Sequence, residues 1–255
     1  MRTAVFVGVL IVTTVHPAAA QEWAEYVSTQ DGFKINFPGQ PKITETTWTS
    51  QMEYTLPERV YSAERGRERY SLTVVDYGGL EQQGIARAKT CPPGNEQCRE
   101  NAAAVIGPGY WKQDERGALA YATLKLLQRD AKVTSYTYDW QDLVEGYFLQ
   151  LTNNADQSRT FAYLAMHEHK LYIVEGTVPK GSPQPGLFQQ SLGWVDRDGR
   201  GIRYQSLYSN TFHGMGAYPR PPIRRRASSM TRALFFTGGR SGSSRRRASR
   251  TGRRR

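Results

Sequence analysis

The chain has 255 residues, with 34 Lys+Arg against 23 Asp+Glu and a formal net charge of +11. Hydrophobic residues make up 38% and aromatics 11%, enough to bury a core, which excludes wholesale disorder. Two cysteines are too few for a disulfide-dense miniprotein or a four-cysteine zinc site.

Residues 1–20 have the three parts of a secretory signal. Arg2 supplies the positive start, residues 4–15 form an uncharged and mostly apolar run, and Ala18-Ala19-Ala20 offers small residues for cleavage before Gln21. A spanning helix needs about 20 apolar residues, and His16-Pro17 ends this run well short of that. A periplasmic or secreted location is expected, and with it an oxidising compartment. Cys91 and Cys98 enclose PPGNEQ, so a structural disulfide between them is expected. Closing so short a loop contributes on the order of 2–3 kcal/mol in the chain-entropy model. The six-residue spacing does not fit a redox dithiol.

Residues 21–219 read as a single domain. Phe33, Ile35 and Phe37 alternate with Lys34 and Asn36 before Pro38-Gly39, which predicts a strand and a turn. Residues 43–49, 60–64 and 71–77 also predict strands. A short helix is expected over Leu80–Lys89, and a second from Cys98 through Ala102 and Val105 to Ile106. Ala120, Ala122, Leu124 and Leu126 alternate as one face of a strand. Thr134, Tyr136, Tyr138 and Trp140 form an aromatic face on the next, followed by Tyr147, Leu149 and Leu151. Residues 160–166 and 171–178 predict a hairpin around Glu168-His169-Lys170. A last helix over residues 185–194 would bury Leu187, Phe188 and Leu192, and a terminal strand is expected over residues 202–208. The order is not an alternation of strand and helix, so an α+β fold with a largely antiparallel sheet is expected, and no glycine-rich phosphate loop is present.

Trp23-x-x-Tyr26-x-Ser28, followed by Asp31-Gly32-Phe33-Lys34-Ile35-Asn36-Phe37-Pro38-Gly39-Gln40-Pro41, resembles the start of exported bacterial proteins with the PsbP-like fold. The run from 120 to 210 resembles a family of uncharacterised exported proteins of alphaproteobacteria. The resemblance implies an antiparallel sheet with helices packed on its faces and an exported location. It implies no catalytic residues, because fold alone does not set function.

No catalytic, cofactor-binding or metal-binding residue is assigned from the sequence. His167 and His169 are two apart, the spacing of paired metal ligands on a strand, but at a hairpin turn they are expected to be solvated. Asp139, Asp142 and Glu145 are the densest acids near aromatics. Residues 196–201, D-R-D-G-R-G, resemble half of a calcium loop, yet Arg200 stands at a ligand position and Leu207 where a bidentate Glu belongs; a polar turn is expected. The tyrosine-rich strand faces are expected to be core, with part left to line a groove for sugar, peptide or an apolar ligand.

Residues 220–255 carry thirteen Arg and no Lys or acid, whereas residues 21–219 hold 20 bases against 23 acids, a net of −3. The tail cannot bury enough surface to offset ordering entropy, so disorder is expected. Three readings stay open for it: an arm that binds anions, with anionic lipid favoured over nucleic acid in an exported protein; a basic serine motif of the kind kinases modify; and a shifted reading frame, which codon usage would reveal. For the domain, the expectation is a non-enzymatic exported protein acting by binding or assembly with an envelope ligand or protein. The alternatives are a hydrolase-like envelope enzyme built on Asp139, Asp142, Glu145 or the histidines, and binding to an anionic surface through the tail.

Overall fold

The computed structural model describes residues 22–90 and 110–209. Strands β1 (Trp23–Ser28), β2 (Phe33–Pro38), β3 (Lys42–Thr49), β4 (Thr55–Arg65) and β5 (Glu68–Asp76) come first. Helices α1 (Leu80–Lys89) and α2 (Tyr110–Leu127) follow, then β6 (Ala131–Gln141), β7 (Val144–Asn153), β8 (Arg159–His167) and β9 (Lys170–Val178). A single turn of helix, α3 (Gly186–Gln189), and the short β10 (Gly193–Trp194) end the described elements. The fold is α+β and every paired strand is antiparallel, as expected.

Seven strands form one sheet in the order β3-β4-β5-β9-β8-β7-β6, and three form another in the order β1-β2-β10. Each face of the large sheet has its own core. On one face Phe33, Ile35 and Phe37 of β2 join Phe188 and Trp194 against Tyr61, Tyr70, Leu72, Val174 and Tyr172. On the other, Trp111, Ala118, Ala122 and Leu126 of α2 cover Val75, Leu149, Leu164 and Leu171. Strands β8 and β9 lie between the two cores. They are therefore apolar on both sides, and buried almost continuously.

Two hairpins share one turn geometry. Asp142 and Leu143 join β6 to β7 with φ of 47° and 64°, and Glu168 and His169 join β8 to β9 with the same two values. Two successive positive φ values give the turn whose twist matches a hairpin's. A leucine rarely adopts this conformation. Here Leu143 is held from outside, because the Tyr208 amide donates to its carbonyl at 2.7 Å and the Glu145 amide donates to the Tyr208 carbonyl at 3.0 Å.

Three expectations need correction. Residues 120–126 are not a strand but the second half of α2. Ala120 and Leu124 are exposed, whereas Trp111, Ala118, Ala122 and Leu126 form the buried helical stripe. Residues 185–194 do not make one helix; only Gly186–Gln189 is helical, Leu187 points outward and Trp194 enters β10. Residues 202–208 form no terminal strand, and only Tyr208 bridges to Val144. The expected helix at residues 98–106, the Cys91–Cys98 bond, the signal segment and the basic tail lie outside the described residues.

Candidate binding surface

The histidines do not form a pair. His167 is buried, which corrects its expected place in solvent. Its ring lies 4.3 Å from that of Trp194, and its Nε2 is hydrogen-bonded to the Tyr204 hydroxyl at 2.5 Å. Burial, with Lys170 nearby, lowers its pKa to about 3, so it is neutral. His169 is half-exposed at the turn, and its Nδ1 donates to the buried carboxylate of Glu115 at 2.5 Å. That hydrogen bond raises its pKa. The two side chains thus serve different partners on different sides of the sheet end.

The calcium-like segment is a turn, as expected. Asp196 Oδ1 accepts the amides of Asp198 and Arg200, both at 2.9 Å, and Arg200 pairs with Asp198. The arginine thus sits where a cation would need a ligand. Among the described residues no group of three or more His, Cys, Asp or Glu could hold a metal ion, and no helix is long and apolar enough to cross a membrane.

Asp31 is the most heavily engaged acid. Arg59 Nη1 donates to both of its oxygens at 2.6 Å, the Tyr61 hydroxyl donates at 2.6 Å, and Lys170 approaches at 3.4 Å. Its own carbonyl accepts the Tyr172 hydroxyl at 2.5 Å. This network joins the loop before β2 to β4 and β9. Every strong acceptor in it is already used, which is a structural rather than a reactive arrangement.

A polar cavity of about 540 Å³ opens beside β4, β5 and β9, lined by Lys42, Ser62, Arg69, Ser71, Glu175 and Thr177. Glu64 also lines it, and Arg129 forks onto Glu175 from the end of α2. Bases and acids are balanced around it, so charge selects no ligand there.

The tyrosines divide into two populations. Tyr54, Tyr61, Tyr70, Tyr77, Tyr163, Tyr172 and Tyr208 are buried, as expected for core. The face of β6 is not core, a second correction of the sequence reading. Tyr136, Tyr138 and Trp140 are 49%, 51% and 52% exposed, and Val133 is 39% exposed. The row owes its composition to an irregularity. Val133 pairs with Leu151 and Ser135 with Gln150, so Thr134 is an extra residue in β6. A bulge of this kind shifts the alternation by one. Val133 therefore joins Tyr136, Tyr138 and Trp140 on one face, while Thr134 spends its hydroxyl on the Gln150 carbonyl.

That face is the one α2 packs on. Across the sheet Tyr136 stands beside Leu149 and Ala162, and Tyr138 beside Tyr147 and Leu164. Helix α2 rests on β8 and β9, two strands away, and leaves β6 at the sheet edge uncovered. The rings pack among themselves, Tyr136 with Tyr147 at 5.4 Å and Tyr138 with Trp140 at 6.2 Å. At the hairpin end, Glu145 accepts the Tyr138 hydroxyl at 3.4 Å and the Ser209 hydroxyl on its other oxygen. Asp139 accepts the Trp140 amide at 2.7 Å. Asp139, Asp142 and Glu145 thus share one hairpin end near the aromatics, as the sequence placed them, but only Glu145 is on the face of the rings. Asp139 alternates with Tyr138 and Trp140, and Asp142 lies toward Gly193 of β10.

No protein-family model matches the chain, and no curated protein matches it. Among solved structures it is similar to the solution structure of cyanobacterial PsbP (CyanoP) from Synechocystis sp. PCC 6803, at 11% sequence identity and a TM-score of 0.33. That likeness covers 66% of this chain and 87% of the other. No activity or partner follows from it.

Proposed function

We propose that this is an exported, non-enzymatic protein of the cell envelope that works by binding a polypeptide partner through the aromatic row of β6. The observation that carries the reading is the exposure of Val133, Tyr136, Tyr138 and Trp140 on one sheet face, in a domain that buries seven other tyrosines. Side chains of this size expose on the order of 300–400 Å² together when half-covered. A standard protein interface takes about 800 Å² per partner. The row is thus too small to dock a whole domain by itself and suits a short linear segment.

Strand addition at the β6 edge is disfavoured. The bulge at Thr134 interrupts the edge, and Lys132 and Asp139 put charge along it. Recognition falls to the side chains on the face. The histidines, Asp31 and the turn at Asp196 are all engaged in structural contacts, which leaves no assembled nucleophile, base or metal set among the described residues.

The test is retention of the full chain by envelope fractions of the source cells, compared with a Tyr136→Ser/Tyr138→Ser/Trp140→Ser variant. The wild type should sediment with the fraction and the variant should stay in solution. Equal sedimentation, or turnover of a generic ester, phosphate or glycoside panel that is lost on mutating a body residue, would contradict the proposal.

A further inference from the structure

Resting on that reading, we infer that the segment bound by the β6 row is basic and arginine-bearing, contributed by another protein. The first ground is charge. Glu145 stands on the face of the row at the β6–β7 turn, with Asp139 and Asp142 at the same hairpin end on the other face. Among the described residues none of the three is within ion-pair distance of a Lys, Arg or His. Glu145 is also fixed in place, since Tyr138 and Ser209 both donate to it. A partner carrying an acid at that end would meet like charge, and a partner carrying a base meets the Glu145 carboxylate.

The second ground is how this domain treats its other aromatics. Lys125 Nζ lies 3.7 Å from the ring centre of Trp48, and the Arg87 guanidinium lies 3.7 Å over Tyr54. Arg159 sits over Phe161, and Lys112 over Trp111. The chain's own cations thus cover rings elsewhere, whereas among the described residues no cation lies over Tyr136, Tyr138 or Trp140. Lys132, the one base of β6, pairs with Thr152 on the opposite face.

Exposed ring faces without a cation, beside a carboxylate without a base, fit arginine better than lysine. A guanidinium is planar and weakly hydrated, so it can stack on a ring while its N–H groups reach a neighbouring carboxylate. Trp140 gives the strongest of the three ring faces, and its cross-strand neighbour is Glu145. An arginine lying on Trp140 would find that carboxylate within its reach.

The experiment is fluorescence anisotropy of a labelled (Arg-Gly-Ser)4 peptide titrated with the full chain, against the same peptide with Lys for Arg and a neutral β-linked hexasaccharide. The Arg peptide should bind about tenfold tighter than the Lys peptide. Trp140→Ser and Tyr138→Ser should each weaken it by about 3- to 20-fold. Glu145→Gln should weaken it less and flatten its salt dependence, and Ile43→Ser, an exposed residue at the opposite sheet edge, should change nothing. Trp140→Phe keeps an apolar ring of lower cation affinity, and an intermediate loss there supports stacking if the serine variant folds poorly. Equal binding of the Arg and Lys peptides, or wild-type affinity in the tryptophan variants, overturns the inference. Binding of the hexasaccharide in place of the peptide overturns it too. So does self-association that Trp140→Ser abolishes, which would make residues 220–255 of a second copy the occupant. If envelope retention depends on the row but no Arg peptide binds, this inference fails alone; if retention ignores the row, both fail.

Discussion

Glu115 of α2 and His169 of the β8–β9 turn are hydrogen-bonded across the sheet end at 2.5 Å, with the carboxylate only 3% exposed and the imidazole half in water. One residue earlier on the helix, Asp114 accepts the Met52 amide at 3.2 Å. Two consecutive acids thus pin α2 to two different hairpins, the β3–β4 tip and the β8–β9 tip. His169→Ala would leave a buried carboxylate without its donor and should cost about 1–3 kcal/mol. The pH dependence has a fixed sign. His169 has a raised pKa in the fold, so its contribution is complete below about pH 6.5 and is lost as pH rises through the raised value. Thermal unfolding of wild type and His169→Ala should differ most at pH 6 and converge toward pH 9.

His167 acts in the opposite sense. In the unfolded chain it binds a proton below about pH 6.5, whereas in the fold burial holds its pKa at about 3. Stability is therefore present above pH 6.5 and falls with acid between 6.5 and 3, by up to about 1.4 kcal/mol per pH unit. His167→Gln keeps a hydrogen-bonding group near Tyr204 and removes the titration. Its denaturation midpoint should change less than the wild type's between pH 6.5 and 4. An identical acid profile would show that other groups govern the acid limb.

Asp31 should be the costliest single charge to remove. Its carboxylate is 3% exposed and answers Arg59 and Lys170, so Asp31→Asn leaves both cations without their common partner. Breaking a buried pair from one side costs about 3–5 kcal/mol. Urea denaturation should show a loss in that range. A loss under about 1 kcal/mol would mean that water reaches the site.

Gly146 and Gly186 make a matched pair of tests. A Cβ on Gly146 would stand 2.1 Å from the Leu164 carbonyl and 2.8 Å from the Tyr163 ring, whereas one on Gly186 meets nothing within 4 Å. Gly146→Ala must push β7 off β8 and should cost about 1–3 kcal/mol or more. Gly186→Ala should be neutral or slightly stabilising. Because Gly146 pairs with Asp139, its substitution should also disturb the hairpin end of the aromatic row.

How far the fold was legible depended on whether one face of an element was buried alone. The alternation of Phe33, Ile35 and Phe37 showed β2 because its other face meets solvent. The hairpin around Glu168-His169-Lys170 was visible for a different reason: three polar residues interrupt two apolar runs that are buried on both faces. Residues 120–126 misled because alanine and leucine alternate there by chance over seven positions. The helical stripe runs through Trp111, Glu115, Ala118, Ala122 and Leu126, and a buried glutamate in its middle hides it from any apolar count. The acids near the aromatics were found in the sequence, but the state of the rings was not. That depends on where α2 stops covering the sheet and on one extra residue at Thr134, both settled by tertiary packing.

The aromatic row as the working surface is tested most directly by the envelope-retention experiment on the full chain, with Trp140→Ser alone and with the triple serine variant. All side chains replaced are about half exposed, so thermal midpoints should stay within a few degrees of wild type. Wild type should be retained, Trp140→Ser should be retained more weakly, and the triple variant should be lost from the fraction with its fold intact. A folded triple variant retained as fully as wild type would contradict this role for the row.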